Sequence, residues 1–285
     1  MQQKIFLVTG SSSGLGLCLC RVIIASGHKV VATMRQPSRY PDIVSELEST
    51  GSAKCIQLDV SAPDLEEQLD PCVKIYGHVD VLINNAGYGY GGPLEDIKVP
   101  ESRQLMDTLF WGPIRTSKVL IPYMRSRGSG VIVNVGSAVD VAGMPGLTLY
   151  GACKAAIADA TEALHGELAP LGIRMILAEM GDMRTSLLDS GKNMTVERPS
   201  AAYANTTTGF VMQAIQGMHG KQDVDPAMCA KRIVEEVLGG SEDRSKFVRL
   251  PLGKQYVDAV RAKGKVLEEN LQKFEEIALS CDFSH

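Results

Sequence analysis

Two residues with complementary acid–base chemistry stand four positions apart in the sequence, Tyr150 and Lys154. Side chains at this spacing lie on the same face of an α-helix, so we expect the lysine ammonium to lie near the tyrosine phenol. A neighbouring positive charge favours the phenolate and lowers the pKa of a tyrosine. The pair therefore predicts a proton donor and acceptor of the kind used in general acid–base catalysis.

A glycine-rich segment, Thr9 to Gly16, follows the first apolar run of the chain and leads into a helix-like stretch. Glycines let the backbone turn sharply and approach a pyrophosphate, and a helix N-terminus presents free N–H groups to it. This order of strand, glycines and helix favours a dinucleotide-binding loop over an ordinary tight turn. The residues expected to contact the cofactor here are Gly10, Ser12, Ser13, Gly14, Leu15 and Gly16.

The end of the second predicted strand distinguishes the two common dinucleotides. An acidic residue at this place binds the ribose hydroxyl of NAD, whereas a nearby arginine favours the 2′-phosphate of NADP. The sequence here has Met34 followed by Arg35, with Arg39 close behind and no carboxylate. NADP(H) is the predicted cofactor, because a guanidinium forms two parallel hydrogen bonds with a phosphate. The alternative is that both arginines are solvated surface charges.

Apolar runs of strand length alternate with longer periodic segments of helix length along the chain. This alternation is typical of βαβ units and predicts an α/β fold, a Rossmann-like, doubly wound sheet with helices on both faces. We expect a single domain over residues 1–285 with about seven parallel strands. Strands are predicted at residues 4–9, 29–34, 53–59, 79–85, 130–136, 173–179 and 246–252, and helices near residues 14–27, 61–76, 100–127, 149–170 and 226–239.

The alternation breaks over residues 185–225. A structureless connection of this length is uncommon in a compact domain, so helix is expected inside it. Ligands of open α/β sheets bind outside the carboxyl ends of the strands, and this segment leaves such an end, which predicts a lid or substrate wall. A plain surface excursion is the alternative. Farther on, residues 254–279 predict a charged amphipathic helix, packed either on its own domain or on a partner.

Composition and charge exclude several classes of protein. Of the 285 residues, 45% are hydrophobic, enough for a buried core, and the formal net charge is -4 without a basic block. We therefore expect no nucleic-acid partner, and no segment is apolar for long enough to predict a membrane span or a signal peptide. The 7 cysteines and 5 histidines are dispersed without metal-ligand spacing, so no metal is predicted. A cytoplasmic protein is the expectation.

The spacing of the glycine-rich segment, TGxxxGxG, resembles that of the short-chain dehydrogenase/reductase (SDR) family. Three further segments resemble the family in order and location. They are Asn84-Asn85-Ala86-Gly87 after the fourth predicted strand, Ser137 after the fifth, and Tyr150-Gly151-Ala152-Cys153-Lys154 beginning 13 residues later. The resemblance covers nearly the whole chain and is closest to steroid, retinoid and microbial secondary-metabolite reductases.

The resemblance implies a role for each matching residue. It makes Ser137 the group that hydrogen-bonds the substrate oxygen, Lys154 the group that holds the nicotinamide ribose, and Tyr150 the group that transfers the proton. Implied cofactor contacts are Asp59 and Val60 at the adenine, Asn85, Ala86 and Gly87 at the adenosine side, and Thr185 at the carboxamide. A homodimer or homotetramer through the fourth and fifth helices is also implied.

Two places depart from the family pattern. Leu109 stands where the resembling proteins have an asparagine that holds a water linked to the active-site lysine, so this relay should be absent or replaced. The alternative is a tolerated apolar replacement with redox activity kept. After the sixth strand, Met180 replaces the usual proline, and Glu179 and Asp182 bring carboxylates near the reacting centre. These two acids are expected to orient a cationic or iminium substrate or to act as a base, unless they are solvated loop charges.

Two functions are consistent with these residues. The first is an NADP(H)-dependent oxidoreductase that transfers a hydride between the nicotinamide and a carbonyl or imine, or an alcohol, of an apolar small molecule. The second is a non-redox isomerase or cyclase of specialised metabolism that retains the nicotinamide as scaffold or charge, with Tyr150, Glu179 or Asp182 as acid or base. Retention of Ser137 together with Tyr150 and Lys154 disfavours a binding protein without turnover.

Overall fold

The computed structural model describes residues 2–188, 193–239 and 246–283 of the chain. Its main sheet contains the strands β1 Ile5–Val8, β2 Lys29–Met34, β3 Ala53–Gln57, β4 Val81–Asn84, β6 Gly130–Val135, β7 Ile173–Met180 and β9 Arg249–Leu252. A second sheet pairs two short strands, β5 Gly89–Gly91 and β8 Met194–Val196. The strand order of the main sheet is β3-β2-β1-β4-β6-β7-β9, and every neighbouring pair is parallel. The predicted α/β fold with seven parallel strands is confirmed.

Helices cover both faces of the main sheet. They are α1 Gly14–Ala25, α2 Pro41–Ser49, α3 Leu65–Lys74, α4 Val99–Met106, α5 Gly112–Arg127, α6 Thr148–Leu168, α7 Thr207–Gly217, α8 Pro226–Gly239 and α9 Lys254–Leu279. One face packs on α1, α2 and α8 through side chains such as Leu19 and Ile233. The other packs on α3, α5 and α6 through side chains such as Leu69 and Leu120. Each fully buried aliphatic side chain contributes about 1.5–3 kcal/mol to this core.

The sheet topology determines where a ligand binds. The chain runs outward from β1 to β3 on one side and then returns to place β4 on the other side of β1. At this reversal the connections that follow β1 and β4 diverge, and they leave a crevice at the carboxyl ends of the strands. The glycine-rich segment and the Asn84–Gly87 segment both emerge there.

Several predicted bounds differ from the structure. The helix predicted over residues 100–127 is interrupted by a π-helical segment, Asp107–Trp111, between α4 and α5. The last strand begins at Arg249 rather than at residue 246, and α2 and the small sheet were not predicted. Residues 185–225 contain α7 and β8 among their described residues, whereas residues 189–192 lie outside them. Within the described ranges, no helix combines the length and the apolarity needed to cross a bilayer.

Candidate active site

The glycine-rich segment forms the turn between β1 and α1. Helix α1 begins at Gly14, and the preceding Ser13 is extended and makes no side-chain hydrogen bond to the helix. The N–H groups of the first turn therefore lack a side-chain cap, as they do in helix N-termini that bind phosphate. A Cβ on Gly16 would lie 2.2 Å from the Gly10 carbonyl oxygen, so this close packing of turn and helix requires glycine.

Asn85 holds the glycine turn against the end of β4. Its side-chain amide donates to the Thr9 carbonyl oxygen at 2.9 Å and to the Gly10 carbonyl oxygen at 3.0 Å. The Thr9 hydroxyl accepts from the N–H groups of Asn85 and Ala86, each at 3.0 Å. Asn85 and Ala86 also line the cavity next to the turn, with Gly87 after them. These predicted cofactor contacts thus shape the loop as well as the space beside it.

The ends of β2 and β3 bound the outer part of the same cavity. Asp59 and Val60 line it, and the Asp59 carboxylate accepts from the Ser61 N–H at 3.0 Å and from the Ser61 hydroxyl at 2.7 Å. Arg35 and Arg39 are exposed at the rim. Among the residues that the structure describes, no acidic side chain forms an ion pair with Arg35. Its guanidinium is therefore available to an anionic ligand.

The predicted catalytic residues meet on the cavity wall. Tyr150 and Lys154 lie one turn apart near the start of α6, and Ser137 follows β6. The Ser137 hydroxyl and the Tyr150 phenol are within hydrogen-bonding range of each other. The Lys154 ammonium lies 5.9 Å from the centre of the Tyr150 ring and donates to the Val135 carbonyl oxygen at 2.7 Å. The three side chains thus have the proximity that proton transfer requires.

Burial shifts the ionisation of both members of the helical pair. It raises the pKa of Tyr150 to about 12, although the contact with Ser137 acts in the opposite direction. Burial also lowers the pKa of Lys154 to about 8, and the nearby carboxyl groups of Asp140 and Glu179 oppose this shift. Near neutral pH the tyrosine is therefore protonated and the lysine is charged. Lys154 loses that charge as the pH rises through about 8.

A buried pair of carboxyl groups, Asp140 and Glu179, lies near Lys154. The side chain of Asp140 is 1% exposed and Glu179 is 0% exposed. The two carboxyl groups are within hydrogen-bonding range of each other. Both oxygens of Asp140 and Oε2 of Glu179 meet no donor in good hydrogen-bond geometry among the described residues. Burial raises the pKa of Asp140, and burial together with the nearby Asp140 raises the pKa of Glu179 to about 8.

Residues from β9 and α9 hold Glu179 from its other side. Its Oε1 accepts from the Arg249 guanidinium at 2.5 Å and from the Tyr256 hydroxyl at 3.0 Å. A Cβ on Gly136 would lie 2.3 Å from Oε2, so this oxygen packs against the backbone next to Ser137. Glu179 lies in the strand predicted over residues 173–179, but neither expected role for its carboxylate holds, because it is buried and is neither a group that lines the cavity nor a solvated charge. It lies inside β7 and does not line the cavity, because the strand continues through Met180 and buries it.

Asp182 and Thr185 do line the cavity. The Asp182 carboxylate accepts from the side-chain amide of Gln255, in the first turn of α9, at 3.1 Å. Partial burial raises the pKa of Asp182. The side chain of Thr185 lies across from the glycine turn, where a Cβ on Gly14 would be 3.3 Å away. Of the two predicted auxiliary acids, Asp182 is thus the one that a ligand can reach.

Leu109 lies in the π-helical segment Asp107–Trp111. The side chain is 2% exposed and packs with Cys153 and Tyr150. A Cβ on Gly87 would lie 2.8 Å from a methyl group of Leu109, which places this leucine directly against the loop after β4. A π-helical turn in an α-helix often occurs at a functional site. Here it brings an apolar side chain to the place where the family pattern has an amide.

The rest of the cavity wall combines apolar and aromatic side chains with polar ones such as Gln104 and Asn193. The cavity has a volume of about 690 Å³. Its apolar and aromatic lining includes Tyr88, Tyr90, Met144, Leu147, Met194, Ile215 and Met218. The Tyr90 hydroxyl, at the same wall, donates to the Glu197 carboxylate. The described part of residues 185–225 therefore contributes a wall to this space.

A buried hydrogen-bond chain seats α6 on the sheet. The Asn84 amide donates to the Asn134 side-chain oxygen at 2.8 Å, and the Asn134 amide donates to the Thr161 hydroxyl at 2.9 Å. The Thr116 hydroxyl donates to the Asn84 side-chain oxygen at 2.6 Å. Because buried amides that lack partners are costly, this chain fixes the position of α6, which carries Tyr150.

Sequence reasoning missed Asp140, Arg249 and Tyr256 as parts of this site. The available signal for Asp140 was an ionisable residue three positions after Ser137. No comparable signal existed for Arg249 and Tyr256, because they reach Glu179 only through the pairing of β9 with β7.

Comparison with known proteins identifies the class of protein to which this fold and this site belong. Residues 4–195 match the model of the short chain dehydrogenase family, and the chain belongs to that family. The oxidoreductase claN of Passalora fulva is 37% identical over 214 residues, which are 75% of this chain and 96% of that protein. The oxidoreductase BOA17 of Botryotinia fuckeliana is 31% identical over 281 residues, which are 97% of this chain and 98% of that protein.

Solved structures agree with this assignment. A short-chain dehydrogenase from Streptomyces avermitilis superposes with a TM-score of 0.87 at 33% identity, covering 99% of this chain and 100% of that one. More distant structures of the same fold were solved as complexes with NAD or with NADP. The predicted membership in the SDR family is confirmed.

Proposed function

We propose that this protein is an NADP(H)-dependent oxidoreductase that transfers a hydride between the nicotinamide and a carbonyl, imine or alcohol carbon of an apolar substrate. The observation that carries the proposal is the convergence of Ser137, Tyr150 and Lys154 on one cavity that also contains the glycine turn. The glycine turn would hold the cofactor in the same cavity that Tyr150 lines. Incubation with NADPH and a panel of carbonyl and imine compounds, followed by absorbance and product mass, tests it.

The residues of the cavity fit a dinucleotide. The glycine turn leaves no room for side chains at Gly10 and Gly16, and the uncapped start of α1 offers N–H groups to a pyrophosphate. Asp59, Val60 and Thr185 line the same cavity, which supports their assignment to the adenine and to the carboxamide. When bound, the nicotinamide supplies or accepts the hydride. The protein's own contribution is to hold the cofactor, orient the substrate oxygen and move the proton.

Proton transfer is assigned to Tyr150. Its phenol is protonated near neutral pH because burial raises its pKa, so it can donate to a carbonyl oxygen that receives a hydride on its carbon. Ser137 hydrogen-bonds the same oxygen and orients it. The nearby Lys154 charge stabilises the phenolate that remains after donation. The reverse reaction uses the same groups with the proton moving from the alcohol to the phenolate.

Preference for NADP is assigned to Arg35. This arginine follows β2 at the cavity rim without an acidic partner among the described residues. Substitution Arg35→Ala should weaken NADPH binding by about 10- to 150-fold, since hydrogen bonds to charged groups contribute about 1.5–3 kcal/mol. NADH binding should change less than about threefold, because NADH lacks the 2′-phosphate. Fluorescence titration of both cofactors measures the two effects.

Arg103→Ala is the matched control for this substitution, because Arg103 is exposed and does not line the cavity. It should leave both affinities unchanged. Equal weakening of NADPH and NADH in Arg35→Ala would contradict the assignment.

The buried pair Asp140 and Glu179 is assigned the role of setting the charge state of Lys154. When both acids are ionised they are only acceptors, so no hydrogen bond can link them. One shared proton between them satisfies two of their partnerless oxygens and leaves the pair with a single negative charge. That charge lies near Lys154 and raises its pKa, which keeps the lysine protonated near neutral pH. The pair thus replaces the family's asparagine and water as support for Lys154.

Leu109→Asn tests whether the missing amide is needed. The substituted side chain would be buried among apolar groups, so we expect it to lower the free energy of unfolding by about 1–3 kcal/mol. The rate of turnover should not rise, because Asp140 and Glu179 already support Lys154. Urea unfolding and steady-state kinetics measure the two quantities. Leu109→Met, which keeps an apolar side chain, should have little effect on either, and a faster Leu109→Asn would oppose the role given to the acid pair.

A second function, isomerisation or cyclisation without net hydride transfer, has one remaining supporting residue outside the catalytic trio. Asp182 lines the cavity and its pKa is raised, as a base for such chemistry requires. Glu179 no longer supports it, because the carboxylate does not reach the cavity. A product isomeric with the substrate, formed without loss of NADPH and abolished by Asp182→Asn, would favour this function over hydride transfer.

A further inference from the structure

Most of helix α9 extends away from the domain. Its first turn contacts the site through Gln255 and Tyr256, but every described residue from 260 to 283 is exposed. At 1.5 Å per residue the 26 residues of α9 span about 39 Å. Helices that are not packed on a domain rarely persist unless another surface covers them. A second surface is therefore needed to cover the exposed part of α9.

An apolar stripe runs along the exposed part of α9. The stripe comprises Val260, Gly264, Leu267, Leu271, Phe274 and Ala278, whose spacings alternate between four and three residues. This alternation is the heptad repeat of two-stranded coiled coils. The large members are well exposed, with Leu267 at 56%, Leu271 at 57% and Phe274 at 54%. Monomeric proteins in water rarely expose an apolar stripe as continuous as this one.

Charges are segregated along the same helix. From Lys254 to Lys265 there are four basic residues and one acidic residue, and from Val266 to Leu279 there are four acidic residues and one basic residue. This arrangement opposes the helix dipole, which favours acidic residues at the N-terminus and basic residues at the C-terminus. The pattern is therefore not explained by the stability of the helix itself. It is complementary to a second copy of α9 that runs in the opposite direction.

Packing of the stripe selects the same direction. In an antiparallel pair with Leu267 opposite the partner's Leu271, Phe274 of each helix faces Gly264 of the other, so the largest side chain meets the smallest. Val260 then faces Ala278. A parallel pair would instead place two Gly264 residues in one layer and two Phe274 residues in another, which leaves a void and a crowded layer.

We propose that the α9 helices of two copies of this chain pair in antiparallel register through this stripe. The pair is symmetric, so each copy supplies the same surface. Opposite charges also align at its flanks, because Arg261 of one helix approaches Glu275 of the other. An anionic membrane is a poorer fit, since the acidic half of the helix would be repelled by it. The proposal does not depend on the proposed catalytic function.

Cysteine cross-linking of the full-length chain tests the register. In a Cys281→Ser background, Asn270→Cys should cross-link to a covalent dimer with a short bismaleimide, because residue 270 lies next to the two-fold axis. Gly264→Cys should not, because its counterpart lies about 15 Å farther along the pair, which is ten residues of helix. Cross-linking at residue 264 but not at residue 270, or at neither, would overturn the proposal. The Cys281→Ser parent controls for the other cysteines.

A second substitution shows that the stripe causes the contact. Leu271→Glu in the Asn270→Cys background should reduce the cross-linked fraction at least tenfold, because it places a charge in the central layer. Gln272→Glu, which adds the same charge on the outer face, is the matched control and should leave cross-linking within about twofold of its parent. Equal yields from both variants would mean that the stripe does not form the contact. Circular dichroism of each variant confirms that α9 remains helical.

Discussion

Tyr150→Phe should reduce the turnover number by about 10²- to 10⁴-fold, the range that general acid–base catalysis contributes. The substitution removes only the hydroxyl, and the ring keeps its packing against Leu109 and Cys153. Without the hydroxyl, the substrate oxygen loses its proposed proton donor beside Ser137. The affinity for NADPH should change by less than about threefold. Steady-state kinetics and fluorescence titration measure the two quantities.

Tyr88→Phe is the matched control for this effect. Tyr88 lines the same cavity and is also partly buried, but it lies in the loop after β4 and does not contact Ser137 or Lys154. Its variant should retain at least a third of the turnover number. If Tyr150→Phe retained as much, proton transfer would belong to another group, with Asp182 as the first candidate.

Removal of both carboxyl groups from the pair Asp140 and Glu179 should have the second-largest effect. Activity requires charged Lys154 and falls as the pH rises through its pKa of about 8. Both carboxyl groups raise that pKa, so the double variant Asp140→Asn/Glu179→Gln should move the alkaline limb of kcat/KM to lower pH by about 1–3 units. A shift of two units lowers activity at pH 8 on the order of 50-fold, since each unit is a factor of ten in the protonation equilibrium.

The single variants distinguish this role from simple loss of structure. When one acid is replaced, the other loses its like-charged neighbour, its pKa falls, and it carries the negative charge alone. Each single variant should therefore shift the alkaline limb by less than about half a unit, and the double variant should be strongly non-additive. Two results would contradict the shared charge. One is a pair of single-variant shifts in the alkaline limb that sum to the shift of the double variant, and the other is a double variant whose alkaline limb does not move. Thermal unfolding of all three variants separates the effect on activity from the effect on stability.

The pH dependence of stability gives an independent check of the same pair. Glu179 has a folded pKa of about 8, above its ordinary value, so its protonated form is favoured by folding. Its contribution is fully present below the unfolded pKa and is lost as the pH rises through about 8. Lys154 has a folded pKa below its ordinary value. Its contribution to the free energy of unfolding is therefore present above its unfolded pKa and is lost as the pH falls through about 8.

The main sheet and the cofactor loop were predictable because local sequence determines them. Strands buried on both faces are nearly continuous apolar runs, as in β2 and β7, and a glycine turn after such a run has few alternatives. Helix α2 was less predictable, since it has nine residues and buries only Leu47. The break at Leu109 was recognised as a departure in residue type, but the π-helical turn around it depends on packing against Gly87 and α6.

The acid pair shows where sequence reasoning stops. Glu179 was found as a carboxylate near the reacting centre, but its direction depends on whether strand β7 continues past it. Because the strand does continue, the side chain points away from the cavity to Asp140 and Arg249, which are 39 residues before it and 70 residues after it in the chain. Such contacts between distant segments leave no periodic signal. Tyr150 and Lys154, by contrast, lie on one helical turn, and their spacing was sufficient.

Transfer of deuterium from cofactor to product tests the central claim most directly. NADPH is deuterated at both C4 positions of the nicotinamide and mixed with a carbonyl compound that the enzyme turns over. We predict a reduced product that carries one deuterium on the former carbonyl carbon. NADPH should be consumed in equal amount, and Tyr150→Phe should slow both processes by about 10²- to 10⁴-fold. A product of unchanged mass and no deuterium, formed without loss of NADPH, would contradict hydride transfer and leave this site with acid–base chemistry alone.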